Sequence, residues 1–220
     1  MITDTLEATW ETVPVRRAEV FEIQTRDWTI EAKPEADKDR EEDDDAACMR
    51  RIAAGDEAAL SAIVARWYSP LMNFFYRSTG SSHDAEDLTQ SVLVKLYRAA
   101  PRYRETAKFS TFLFVIARRV LHNHRRFFYR KLKGLVDYGT VSESLLAEAD
   151  DGRARDLEEF FQTALKGLPE QQRTALLLRK QQGMGYGEIA EAMRTTESRV
   201  KTWIFRARKK LKEAYDEREA

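Results

Sequence analysis

A single cysteine, Cys48, occurs in 220 residues, so no disulfide forms within the chain. Cys48 reads as a small residue of the first helix, not as a redox sensor. No Cys/His spacing resembles a zinc site, and His122 and His124 stand two apart, which on a helix points them away from each other. His83 reads as a surface residue near a helix start. No apolar run approaches the roughly 20 residues that span a bilayer, and the N-terminus lacks a basic start followed by an apolar stretch. A chain without membrane insertion, located in the cytoplasm, is expected. Strand alternation of any length is missing, as is any internal repeat. What remains is helical periodicity broken by glycine and proline, hence an all-α fold.

Charge of one sign is also missing overall, since 37 basic residues balance 37 acidic ones. The zero conceals an asymmetry. Residues 1–47 hold 15 acids and 6 bases, whereas residues 48–220 hold 22 acids and 31 bases. A basic body with an acidic arm fits nucleic-acid binding by the body. The arm either competes for the same basic surfaces or stays solvated. Solvation is the expectation for residues 1–45, because EADKDREEDDD at 35–45 is too charged to fold by itself.

The body reads as two small helical domains joined by a flexible linker, the C-terminal one containing a helix-turn-helix. Domain boundaries are expected at 46–133, with a linker over 134–152 and a second domain over 153–216. In the first, Gly55 closes a short helix and Asp56 caps the next, whose stripe is Leu60, Ile63, Val64 and Trp67. Pro70 is expected to start another helix, with Leu71, Phe74 and Phe75 inward. A helix over about 84–100 follows, capped by Ser81 or Ser82 and stopped by Pro101. After a polar loop at 102–108 comes a helix over about 110–133. From Arg118 to Lys133 it carries seven Lys or Arg and no acid, with Phe127, Phe128 and Tyr129 interleaved. Cations bind backbone phosphates and aromatics stack on unpaired bases, which suits single-stranded or melting DNA. Gly139, Thr140, Ser142 and the Asp150-Asp151-Gly152 turn mark the linker.

The stretch from 183 to 211, GMGYGEIAEAMRTTESRVKTWIFRARKKL, carries the sharpest signal. Gly183 and Gly185 break a helix, residues 186–193 form a short one, and Thr196 caps the next. In that last helix Val200, Ile204, Ala207 and Leu211 recur at steps of four, three and four, one buried stripe. The opposite face presents Ser198, Arg199, Lys201, Thr202, Phe205, Arg206 and Lys209. Long cations and hydroxyls in the first turns of such a helix reach guanine acceptors, phosphates and thymine methyls in a major groove. Residues 194–212 contain eight Lys or Arg and one acid, Glu197.

Two other functions are weighed on the same residues. Asp84, Glu86 and Asp87 cluster at a helix start, where the dipole stabilises them, and lack the convergent ligands from distant segments that a magnesium nuclease needs. Neither a metal nor a cofactor nor catalysis is therefore expected. A stand-alone helix-turn-helix regulator is expected to dimerise, since one helix reads too few bases, yet no heptad or dimer helix is visible.

Four motifs in order, DAEDLTQ at 84–90, FSTFLFVIARRVLHNHRR at 109–126, LPEQQR at 168–173, and GYGEIAEAM followed by RVKTWIFRARKKL, resemble a bacterial RNA polymerase sigma factor of the extracytoplasmic-function type. The resemblance covers about residues 48–214. It implies a transcription initiation factor whose partners are core RNA polymerase, promoter DNA and an anti-sigma factor. Asp84, Asp87, Gln90 and Ser91 fall where such a protein docks on the clamp helices of the largest polymerase subunit. Tyr103, Arg104 and Lys108 fall in the loop that receives a base flipped from the minus-ten strand, with Arg119, Asn123 and Arg126 on the helix beside it. Ser198, Arg199, Lys201, Thr202, Phe205 and Arg206 match the helix that reads the minus-thirty-five element. The family usually carries Trp at Phe112, Asn at Arg119, Gly at Arg194 and Arg at Trp203, departures that bear on which promoter is read. With Arg194 where glycine is usual, either that residue adopts an uncommon backbone geometry or the turn differs.

Overall fold

The computed structural model describes residues 35–134 and 152–219. Among the described residues there are eight α-helices and one short 3₁₀ turn, with no strand. They are α1 (Glu35–Ala53), α2 (Glu57–Thr79), α3 (Ser82–Ala99), the 3₁₀ turn (Ala100–Arg102), α4 (Phe109–Gly134), α5 (Gly152–Lys166), α6 (Glu170–Gln181), α7 (Tyr186–Met193) and α8 (Glu197–Glu219). The all-α expectation holds. Most of the expected linker, 135–151, lies outside the described residues, as does the arm at 1–34.

Local chemistry sets the boundaries of the first unit. Gly55, at φ 89°, turns the chain out of α1. Asp56 then caps α2, accepting from the N–H groups of Ala58 at 2.9 Å and Ala59 at 3.2 Å. Gly80 ends α2 in the left-handed region, and the Ser81 hydroxyl accepts from Asp84 N to start α3.

Helix α2 corrects the expected break at Pro70, which lies inside one continuous helix. A proline there removes one backbone hydrogen bond and crowds the preceding turn, at a cost of about 3 kcal/mol. The apolar stripe explains why the helix continues. Leu60, Val64, Leu71, Phe74 and Ser78 are buried and Trp67 is half-buried, at steps of four and three that run through Pro70 without a phase slip. Phe74 packs edge-on against Phe114 of α4, and Trp67 against Phe109 and Phe114. Burial of large aromatics on both sides of Pro70 outweighs the lost bond.

Residues 35–45 also differ from expectation. They are helical, and Asp45, expected in the solvated tail, is fully buried. Its carboxylate accepts from Arg66 Nη1 at 2.5 Å and Trp67 Nε1 at 2.8 Å, so a charge that looks like tail composition closes the first core. Cys48 is buried on the same helix, where burial pushes its thiol up and disfavours the reactive thiolate.

In the second unit α6 is central, since Thr174, Ala175, Leu176, Leu177 and Leu178 are all buried. Gly183 at φ 64° and the Arg179 Nη1 bond to Met184 O shape the next turn, and Glu188 accepts from Gly185 N at 2.6 Å to start α7. Arg194 caps α7 at φ 51°, ψ 54°, a left-handed backbone, the first of the two outcomes expected there. Such a conformation costs a side-chain-bearing residue about 1 kcal/mol, and Arg118 places a second positive charge nearby. Arg194→Gly is therefore expected to raise the urea unfolding midpoint by a free-energy equivalent of about 1 kcal/mol. A lowered midpoint contradicts this reading of the turn.

The units are in direct contact: α2 packs on α5 and α6, and α4 packs on α7. Ion pairs line that contact, with Arg77 of α2 meeting Glu158 of α5 at 2.6 Å.

Candidate nucleic-acid interface

Helix α8 divides its residues sharply. Val200, Ile204, Ala207 and Leu211 are buried, while Ser198, Arg199, Lys201, Thr202, Phe205, Arg206 and Lys209 are exposed. The Thr196 hydroxyl accepts from Arg199 N, weakly at 3.4 Å, and the Thr202 hydroxyl donates to Ser198 O at 2.9 Å. Lys201 lies 3.7 Å from Glu197 and 5.4 Å from the centroid of the Tyr186 ring. Phe205 keeps 68% of its surface exposed, more than any other large apolar residue of this helix. Trp203 is half-buried against the core, a packing role for a position where the resemblance implies a phosphate contact.

The loop after the 3₁₀ turn is pinned from both sides. Tyr103 lays its half-buried ring against Phe112, centroids 5.1 Å apart, and Phe109, at 6.4 Å. Glu105 pairs with Arg50 of α1 at 2.9 Å, and Lys108 with Glu188 of α7 at 3.4 Å. Arg104 is exposed. Beside the loop, Arg119, Asn123 and Arg126 are all exposed on α4, at steps of four and three that put them on one face. Phe127 extends this surface with 67% of its area exposed.

The α3 set forms a third surface. Asp84, Asp87 and Ser91 follow one another at steps of three and four; Asp87 and Ser91 are exposed, while Asp84 and Gln90 are partly covered. His83 sits 3.8 Å from Asp87, and His124 of α4 sits 3.6 Å from Asp84. His124 thus ties the acidic face to the basic helix, a contact invisible from its spacing to His122. Among the described residues no group of three or more His, Cys, Asp or Glu is placed to hold a metal ion. No described helix is long and apolar enough to cross a membrane.

Sequence reasoning missed Arg50, which holds Glu105 across 55 residues, and the acids of the second unit that face α4. Burial of Arg118 beside Glu170 belongs to the same contact. Burial pulls its guanidinium down, Glu170 raises it and Arg194 lowers it.

A basic, outward face on the second helix of a helix-turn-helix, carried with a second basic helix and an acidic face on α3, fits a DNA-reading protein. Comparison with known proteins makes the class specific. The family described as sigma-70 region 2 matches residues 63–128, and sigma-70, region 4 matches 161–211, together more than half of the chain. The chain is 26% identical over 189 residues to the RNA polymerase sigma-H factor of Pseudomonas aeruginosa, covering 79% of this chain and 94% of the relative. It is 27% identical over 176 residues to the ECF RNA polymerase sigma-E factor of Haemophilus influenzae, covering 76% and 93%. The solved structure of CnrH in complex with the cytosolic domain of CnrY has a similar fold, with a TM-score of 0.59 at 23% identity over 79% of this chain and 97% of that one. The chain belongs to the sigma-70 family, to its extracytoplasmic-function type, and directs RNA polymerase in transcription initiation.

Proposed function

We propose that the two basic surfaces divide the promoter between them. Helix α8 reads the minus-thirty-five element as duplex, through Ser198, Arg199, Lys201, Thr202, Phe205 and Arg206. Tyr103, Arg104 and Lys108, with Arg119, Asn123 and Arg126 of α4, capture the minus-ten strand as its bases unstack. Unstacking costs about a few kcal/mol per base, so captured bases and phosphates supply the energy and no nucleotide hydrolysis by this chain is needed. Asp84, Asp87, Gln90 and Ser91 dock on the clamp helices of the polymerase. The functional division follows residues 46–133 and 153–216, with α1 added to the first part.

The observation that carries this reading is the split of α8 into one buried stripe and one exposed cationic face. We propose that the protein acts in the cytoplasm, has no catalytic site of its own, and is held inactive by an anti-sigma factor. A fold similar to this one, with a TM-score of 0.54 at 23% identity, was solved as the sigma factor RpoE in complex with the anti-sigma factor NepR from Bartonella quintana.

Run-off transcription with core polymerase on a library of promoter fragments, compared with core alone, tests the function. Initiation from a restricted set of fragments is the expected result. Absent initiation, together with tight duplex binding by the protein alone, identifies a stand-alone regulator instead.

A further inference from the structure

Helix α8 does not carry Lys201 at the middle of its exposed face. At 3.6 residues per turn, Lys201 lies about 65° from the line through Ser198, Thr202 and Phe205. It stands on the side of Glu197, whereas Arg199 and Arg206 stand on the other. The Glu197 side faces α7. There the Lys201 ammonium is 5.4 Å from the centroid of the Tyr186 ring, at the first residue of α7, and 3.7 Å from the Glu197 carboxylate. Glu197 in turn rests over the first turn of α7, where a Cβ added at Gly187 would come 3.1 Å from its Oε1. The Tyr186 ring also meets α6, since the Arg179 guanidinium lies 4.9 Å from its centroid and donates to Met184 O at 2.8 Å. Half-buried against the core, the ring is a fixed platform beside a long, mobile cation.

We propose that Tyr186 is a positioning residue for upstream promoter reading. Its ring, with Glu197, seats the Lys201 ammonium on the α7 flank of α8, where Lys201 takes a backbone phosphate and leaves the base edges to the middle of the face. Tyr186 acts through Lys201 and reads no base. The inference rests on the reading of α8 as the minus-thirty-five helix and deepens it.

Groove dimensions support the assignment. A helix with its side chains is about 10–12 Å across and fills a major groove about 12 Å wide, so the middle of its face meets base edges and its flanks meet the phosphate walls. Phosphate contacts set register and orientation and carry no sequence information directly. Lysine is a point charge on a flexible four-carbon stem and loses much rotamer freedom when it is fixed. A ring beneath the ammonium and a carboxylate four residues earlier restrict that stem before DNA arrives, which leaves less freedom to lose on contact. The Lys201 and Glu197 side chains stay 57% and 56% exposed, so a phosphate can join an ammonium that has three donors.

The test uses the full chain with core polymerase on a duplex carrying the upstream element alone, read by fluorescence anisotropy. Tyr186→Leu and Tyr186→Met keep an apolar contact and remove the ring; each is expected to weaken binding about two- to fivefold, the range of an exposed cation–ring contact. Lys201→Met is expected to weaken it at least as much and to reduce the salt slope by about one unit, while discrimination between fragments changed at single base pairs is retained. In the Lys201→Met background both Tyr186 substitutions are expected to be silent. Additive losses overturn the positioning role, as does a Tyr186→Phe variant, which keeps the ring, that loses as much as Tyr186→Leu. Discrimination lost at one base pair in Lys201→Met overturns the phosphate assignment. Proton NMR of the free full chain reads the seat without DNA: the Lys201 ε-methylene signal is expected to move downfield in Tyr186→Leu as the ring current is removed. An unchanged signal overturns the seat. Lys201→Met that binds as tightly as wild type defeats the reading of α8 at this residue, and the NMR signal alone then decides the seat.

Discussion

Alanine at both Arg199 and Arg206 is expected to lower run-off transcription from a cognate promoter at least about tenfold, with core-polymerase affinity unchanged, because a single good side-chain contact to a base pair is worth about 1–3 kcal/mol. The two arginines stand seven residues apart, two turns of α8, and both are exposed on the stripe that includes Ser198, Thr202 and Phe205. Neither contributes to the buried stripe, so helix stability changes little. Single variants separate two chemistries. An arginine on guanine loses discrimination at one promoter position when removed. An arginine on phosphate weakens all sequences alike and reduces the salt slope by about one unit. Fluorescence anisotropy of holoenzyme on duplex fragments at several salt concentrations makes the distinction, with the α3 face of Asp84, Asp87, Gln90 and Ser91 left intact as the internal control. Full activity of the double variant contradicts the assignment of α8.

The second large effect falls far from any DNA surface. Asp45→Ala is expected to destabilise the protein by about 3 kcal/mol, since removing one partner of a buried pair leaves the other charge uncompensated. Trp67 Nε1 loses its acceptor at the same time, and Arg66, about one-third exposed, recovers part of the loss by turning to water. A loss of that size is a large share of the 5–15 kcal/mol typical of a domain. Asp45→Asn retains an acceptor for Trp67 and is expected to cost less. Urea unfolding followed by circular dichroism measures both. A loss below about 1 kcal/mol for the alanine variant, the range of an exposed pair, contradicts the buried role.

Asp45 also shows why part of this fold was hidden in the sequence. At the end of EADKDREEDDD its composition reads as solvated tail, and only its partners, 21 and 22 residues away, reveal a core position. Pro70 misled for a different reason. Proline is a good first residue of a helix, and that local preference competes with an apolar stripe running unbroken from Leu60 to Phe74. Where one element supplies the whole signal, sequence and structure agree. The steps of four, three and four in α8 separate buried from exposed residues, Ser81 stands ready as a cap, and the left-handed backbone at Arg194 is one of the two outcomes implied by the glycine usual there in the family. The α4 helix is legible as a basic and aromatic stretch, whereas Tyr103 stands out only through the family resemblance. The pairs that join the units are not legible, because Arg77 and Glu158 lie 81 residues apart in sequence and no periodicity relates them. For the same reason Trp203 reads as a missing phosphate contact until its burial is seen.

Run-off transcription on three versions of one cognate promoter, intact, with the minus-thirty-five element scrambled and with the minus-ten element scrambled, tests most directly whether two surfaces read two elements. Wild-type protein is predicted to lose initiation on either scrambled template. The Arg199→Ala, Arg206→Ala double variant is predicted to become indifferent to the upstream element while still discriminating the downstream one. Alanine at Arg119 and Asn123 is predicted to produce the reverse. Variants that lose discrimination at both elements together, or at neither, contradict the division of the promoter between α8 and α4.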